Sequence, residues 1–152
     1  MEVIPYLDFT GRCEEALDFY RQAVGATVIF VMRYKDAPPS PDMCSTRDPN
    51  KIMHASFKVG DSTIMASDGR ADAPTNFKGI VLSLNLCNVP DSQKFFAALA
   101  EGGQVHMPLG KTFFSPSFGM LVDRFGVSWM VHVPSMPEPS HATSQQEAHA
   151  HA

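Results

Sequence analysis

The order of secondary-structure elements that the sequence predicts occurs twice along the chain, and this repetition constrains the fold most strongly. The first copy begins with an extended segment over residues 3–9. Apolar residues at helical spacing follow, with Thr10 placed to cap the helix and Gly25 placed to end it. Residues rich in β-branched and aromatic types then predict three strands, over 26–34, 52–59 and 62–67. The first copy is therefore strand, helix, strand, strand, strand.

The second copy repeats this order after residue 78. A strand over 79–89 precedes a helix that Asp91 is placed to cap, and Gly102-Gly103 ends that helix. Extended segments follow over 104–114, 118–123 and 127–133. Sequence matches between the copies support a duplication, with Asp18-Phe19-Tyr20 matching Lys94-Phe95-Phe96 and 63–67 matching 128–132. A single copy would leave one sheet face open to water, so two copies must pack together or curve around a ligand.

Length and charge exclude several classes of function. A chain of 152 residues fits one domain, and 44% apolar residues suffice for a core. A net charge of −4 with 12 Lys and Arg offers no basic stripe for nucleic acid or anionic lipid. No apolar run approaches the length of a membrane helix, and the amino terminus does not resemble a secretion signal. We therefore expect a cytoplasmic protein without nucleic-acid or membrane partners.

Three cysteines and two irregular segments complete the outline. Cys13, Cys44 and Cys87 are widely spaced and odd in number, so they are interpreted as reduced thiols, with Cys13 and Cys87 acting as small hydrophobes.

The Pro-rich stretch 35–50 predicts a mobile loop that could act as a lid. Residues 135–152 have no apolar period and predict a disordered tail, whose histidines lack a fixed geometry for metal binding.

The motifs of the chain resemble those of a known family. They include Pro5-Tyr6-Leu7-x-Phe9-x-Gly11, Glu15-Ala16-Leu17-x-Phe19-Tyr20, His54-Ala55, Met65-Ala66-Ser67-Asp68, Met107-Pro108-Leu109 and Phe118-Gly119-Met120-Leu121-x-Asp123-x-Phe125-Gly126-Val127-x-Trp129-Met130. This pattern resembles the PhnB-like branch of the vicinal oxygen chelate superfamily, which includes glyoxalase I, bleomycin-binding proteins and extradiol dioxygenases. The resemblance implies an α+β, glyoxalase-like fold of two βαβββ modules over residues 1–134, at about 1–69 and 78–134. It also implies a curved mixed-sheet cup, usually in a homodimer.

Metal-using members of that superfamily take four ligands from the first and last strands of the modules. Spacing from the helix and turn motifs assigns the four ligand positions to Pro5, Met65, Val81 and Met130. Pro and Val side chains have no donor atom, and a thioether suits soft ions rather than Zn²⁺, Ni²⁺ or Fe²⁺. We therefore expect no standard metal site and no cofactor, although a divalent metal held by other groups stays open.

Alternation along the strands selects polar candidates for the cup. His132 lies two residues from Met130, and an imidazole in a half-apolar cavity can transfer a proton near neutral pH. A structural role for His132 near the sheet edge is an equal alternative. Ser67 shares a face with Met65, while Ser83 and Asn85 share one with Val81.

The remaining candidates have strong structural alternatives. His54 is interpreted as a buried structural residue rather than a ligand contact, and Lys111 as a surface lysine rather than a cation at the mouth of the cup. An adaptable apolar wall of the cup could be formed by Phe30, Phe114, Trp129, Met65 and Met130, although at least half of these residues are expected to be core packing alone. Sequences of the PhnB-like branch often carry Glu at position 111 and Trp at position 114, so the ligand of this chain is expected to differ.

Three kinds of function stay open. The first is a protein that binds a small apolar or aromatic molecule without transforming it, and the second is an isomerase or lyase that uses His132 as acid or base. The third is a structural or interaction domain. Some relatives carry a demethylubiquinone methyltransferase label, which fits poorly because the chain has no glycine-rich strand-to-helix loop for a nucleotide-like cofactor.

Overall fold

The chain folds into two four-stranded sheets and two α-helices in the part that the structure, a computed structural model, describes: residues 1–39, 48–69 and 75–135. The first sheet and helix comprise β1 (Tyr6–Asp8), α1 (Cys13–Val24), β2 (Thr27–Arg33), β3 (Ile52–Val59) and β4 (Ser62–Ser67). The second set comprises β5 (Val81–Asn85), α2 (Val89–Ala100), β6 (Gln104–Gly110), β7 (Ser117–Val122) and β8 (Ser128–Val133). The predicted tail, except Ser135, and residues 40–47 of the predicted loop lie outside the described residues.

Both sheets have the same topology. The strand order is β1-β4-β3-β2 in the first sheet and β5-β8-β7-β6 in the second. The first strand of each copy pairs in parallel with the last, and all other pairs are antiparallel. The α+β fold class and the repeated βαβββ order are therefore confirmed. Within the described ranges no helix is long and apolar enough to cross a membrane.

The start of α1 differs from the prediction. Thr10 does not cap the helix, because it lies two residues before Arg12, the residue at the N-cap position. Its backbone has a left-handed conformation with φ 47°. The carboxylate of Asp68, just after β4, accepts a hydrogen bond of 2.7 Å from the Cys13 N–H instead. A cap supplied from a distant strand cannot be found from local spacing. Gly25 ends the helix in the left-handed conformation, as predicted.

The second helix also begins earlier than predicted. Asn88 caps it by accepting a 2.8 Å hydrogen bond from the Asp91 N–H, so Asp91 lies in the first turn. The strand before it ends at Asn85, which leaves Cys87 exposed rather than inside a strand. By contrast, burial raises the pKa of the Cys13 thiol to about 12, in keeping with its role as a core residue.

Both helices lie between the two sheets and share one hydrophobic core with them. Tyr20 of α1 shows this arrangement best. Its ring stacks on Phe57 of β3 at a centroid distance of 5.8 Å, and it also lies 5.8 Å from the ring of Trp129 on β8. Because the inner face of each sheet packs on the helices, the other face of each sheet looks away from the core.

A buried carboxylate joins the two halves of this core. Asp123, in the turn between β7 and β8, accepts four hydrogen bonds. One oxygen receives the N–H groups of Phe125 and Val127, and the other receives the Tyr20 hydroxyl at 2.7 Å and Trp129 Nε1 at 2.8 Å. Burial raises the pKa of Tyr20, so its phenol remains a donor at ordinary pH.

We predict that D123N destabilises the protein by about 2–4 kcal/mol, because an amide has one acceptor oxygen and leaves buried donors without a partner. Y20F removes a single donor and should cost about 1 kcal/mol. The measurement is urea unfolding followed by fluorescence of Trp129, the single tryptophan of the chain. As a control, D61N in the exposed β3–β4 turn should change stability by less than about 0.5 kcal/mol. Equal stability of D123N and D61N would contradict the prediction.

Candidate functional site

The outward face of the first sheet carries an aromatic row. Tyr6 pairs with Met65, Met65 with Ser56, and Ser56 with Phe30, so these four side chains follow one another across the sheet. His54 lies beside them on the same face of β3. We call Tyr6, Phe30, His54, Ser56 and Met65 the first open face.

His54 is held within this row by two aromatic neighbours. Its Nδ1 lies 3.3 Å from the Tyr6 hydroxyl, and its ring lies 5.7 Å from the ring of Tyr6 and 6.1 Å from that of Phe30. Tyr6 and Phe30 are 51% and 44% exposed, which is high for aromatic residues in strands. His54 is thus half-buried at a surface site, not enclosed in the core.

The outward face of the second sheet combines polar groups with methionine and phenylalanine. Ser83 pairs with Met130 and Asn85 with His132 across β5 and β8. On the other side of β8, Phe118 pairs with His132 and Met120 with Met130. The second open face consists of Ser83, Asn85, Phe118, Met120, Met130 and His132.

A hydrogen-bonded group fixes His132 on this face. Asn85 Oδ1 lies 3.0 Å from His132 Nδ1 and accepts a 3.0 Å hydrogen bond from the Ser83 hydroxyl. The Phe118 ring meets the imidazole edge to face at 6.3 Å, and Phe114 packs on Phe118 at 5.1 Å. His132, Asn85, Ser83 and Met130 are therefore neighbours on this face, and Phe114 packs beside them on Phe118.

The structure does not place every predicted residue on an open face. Trp129 points into the core, where it is 3% exposed and bonded to Asp123. Ser67 is buried, and its hydroxyl accepts from the Gly69 N–H. Lys111 lines a separate cavity of about 470 Å³, next to Cys87 at the end of the second sheet.

Strand register changes the positions expected for metal ligands. Met65 pairs with Tyr6, whereas Pro5 precedes β1 and uses its carbonyl to accept from the Met65 N–H. Likewise Met130 pairs with Ser83, because Val81 is opposite Ser128. The paired groups are two thioethers, a phenol and an alcohol, which do not fit a hard divalent cation. Among the described residues no three His, Cys, Asp or Glu side chains gather as a metal-binding group.

Tyr6, Phe118 and Met120 were missed as site residues by sequence reasoning. Tyr6 could have been found from alternation, since it precedes the buried Leu7 and so faces outward. Phe118 and Met120 depend on the pairing of β7 with β8, which a single sequence does not specify.

The two open faces do not meet within one chain. Each sheet turns its inner face to the shared core, and β1 and β5 are edge strands of separate sheets. A cleft of about 770 Å³ lies between β5 and the residues that precede β1. Its lining includes Ile64, Leu84 and the second-face residues Ser83 and Asn85. One chain therefore presents its two open faces on opposite sides.

Solved structures with the same fold define the class of this protein. It superposes on protein PA1353 from Pseudomonas aeruginosa with a TM-score of 0.76 and 43% identity, covering 88% of this chain and 98% of that one. It also superposes on a PhnB protein from Bacillus cereus, described as a putative 3-demethylubiquinone-9 3-methyltransferase. The TM-score is 0.73 and the identity 26%, covering 88% of this chain and 99% of that one. The fosfomycin resistance protein FosX from Listeria monocytogenes shares the fold at a TM-score of 0.61 and 9% identity, covering 90% and 94%. The chain thus has the glyoxalase-like α+β fold that these proteins share.

Sequence comparison narrows this class to a family. A family model described as 3-demethylubiquinone-9 3-methyltransferase matches residues 1–132. Protein YjdN of Escherichia coli K12 is 30% identical over 140 residues, which cover 88% of this chain and 95% of that protein. The chain belongs to this PhnB-like family, as its motifs indicated.

We predict that any divalent metal carried by the purified protein is bound by the tail histidines. Replacing His141, His149 and His151 by Ala should remove the metal, because imidazoles are its best available ligands. The double variant M65A/M130A should keep it. Elemental analysis of both proteins after gel filtration measures this, and metal lost only from the methionine variant would contradict the prediction.

Proposed function

We propose that the protein is a cytoplasmic homodimer that binds a small, neutral, aromatic molecule between the first open face of one chain and the second open face of the other. The observation that carries the proposal is the back-to-back arrangement of the two faces around one core. Neither face alone encloses a ligand, and together they supply an aromatic wall and a polar wall.

Exposed apolar side chains support a partner at these faces. Tyr6 and Phe30 stand out from the first face, and Phe114 borders the second at 44% exposure. Phe113, next to Phe114 in the β6–β7 connection, is fully exposed. Contiguous exposed apolar surface of this kind marks interaction sites in soluble proteins.

A second copy of the chain is the partner that best fits both faces. A two-fold axis that brings the first face against the second in one place must do so again in another. Two equivalent cups would form, and each would be complete. Burial of the exposed aromatic side chains would then stabilise the dimer and also the complex with the ligand.

The chemistry of the faces supports a neutral ligand. Their named residues carry rings, thioethers, hydroxyls, an amide and imidazoles, and none of these named residues carries a carboxylate, an ammonium or a guanidinium group. Rings and methionines favour flat apolar molecules and adapt to their shape. Methyl transfer, the activity in the family description, is not part of the proposal, since the described sheets have one parallel strand pair each rather than a parallel nucleotide-binding sheet.

An acid–base enzyme is a second candidate because Asn85 holds His132 in a fixed orientation. Such an enzyme would move a proton within a bound molecule by way of the imidazole. H132Q should then abolish turnover while leaving binding in place. A protein that only binds its ligand would leave the ligand chemically unchanged, both as the wild type and as H132Q.

Mixing two variants tests the shared cup, with 2-naphthol as the probe. M65K blocks the first face and M130K the second, because each puts an ammonium group in an apolar position. Each variant homodimer should bind no probe by calorimetry. The mixed heterodimer should recover one site per dimer, because one of its two cups carries neither substitution.

Native mass spectrometry of the same samples reports the dimer. The control Q22K, on the exposed side of α1, should keep two sites per dimer. A wild-type protein that is monomeric, or variants that each keep half the sites while mixing adds none, would overturn the shared cup.

A further inference from the structure

The hydrogen bonds around His132 determine which of its nitrogens carries the proton. Asn85 Oδ1 receives the Ser83 hydroxyl and lies 3.0 Å from His132 Nδ1. A carbonyl oxygen accepts hydrogen bonds and cannot donate them. The contact is therefore a bond donated by Nδ1–H, and in the neutral ring Nε2 is left as the acceptor.

No other group within the described ranges engages that acceptor. Within residues 1–39, 48–69 and 75–135, the imidazole of His132 makes its side-chain hydrogen bond through Nδ1 alone. The neighbouring Phe118 contributes a ring at 6.3 Å, which packs against the imidazole without donating. Nε2 thus remains for a ligand at the second open face.

We propose that the second open face selects ligands that donate a hydroxyl proton to His132 Nε2, so that the substrate class is neutral phenols. This inference rests on the proposed function, which supplies the aromatic wall opposite. A phenol ring would stack on Tyr6 and Phe30 of the other chain, and its O–H would donate to Nε2. A phenolate has no proton to donate to a neutral imidazole, and an aryl methyl ether has no donor either.

Asn85 is the positioning residue in this arrangement. Its carbonyl oxygen faces His132 Nδ1, and the Ser83 hydroxyl donates a second hydrogen bond to the same oxygen. Removing the carbonyl would free the ring to take the opposite tautomer. The preference of the site for a donor would then disappear.

Nitrogen-15 NMR of the full-length protein tests the tautomer directly, at a pH where imidazole is neutral. The spectrum of H132Q identifies the His132 signals among the six histidines. We expect Nδ1 of His132 to be protonated and Nε2 unprotonated, and N85A to shift the proton to Nε2. S83A, which keeps the carbonyl, should leave Nδ1 protonated. A protonated Nε2 in the wild-type protein would overturn the proposal.

Binding of a matched pair of probes tests the selectivity. The wild-type protein should bind 2-naphthol about fivefold to tenfold more tightly than 2-methoxynaphthalene, which has the same rings without a donor. N85A should reduce this ratio to about one, while both probes continue to bind. Equal wild-type affinities for the two probes would overturn the phenol inference alone. Failure of both probes to bind would instead count against the proposed cup.

Discussion

The carboxylate of Asp123 is the interaction on which the rest of the structure depends. It ties α1, through Tyr20, to the β7–β8 turn and to Trp129 of the second sheet. All four of its hydrogen bonds are buried, and an unsatisfied charge there would cost several kcal/mol. The helix of the first module is thereby fixed against the strands of the second. The two modules behave as one core rather than two.

That single core explains why the candidate residues divide into two groups. Because both helices pack between the sheets, each sheet has one face buried in the core and one face exposed to solvent. The exposed faces are the two open faces, with Tyr6, Phe30 and His54 on the first and Ser83, Asn85 and His132 on the second. Their separation within a chain makes assembly of two chains the natural route to an enclosed ligand, and this is why the proposed function requires a dimer.

Much of the fold could be predicted from the sequence, because alternation, helical spacing and repetition are local signals. Strands β3 and β4 have the predicted bounds, and Gly25 ends α1 as expected. The cap of α1 was missed because it comes from a residue far along the chain, Asp68 just after β4, whose carboxylate accepts from the Cys13 N–H. Similarly, Pro5 and Val81 are not the residues that pair with Met65 and Met130. Pairing register comes from the assembled sheet, so one sequence cannot specify it.

Duplication has given this chain two copies of one module whose outward faces now differ in chemistry. Substitutions on the aromatic face lie across a rigid core from those on the polar face, so within a chain their effects on stability should simply add. In the proposed cup, selection can therefore alter how a ligand is stacked without altering how it is hydrogen-bonded. A lineage carrying this fold could then explore new ligands one face at a time, which offers a physical route to diversity among proteins that share the fold.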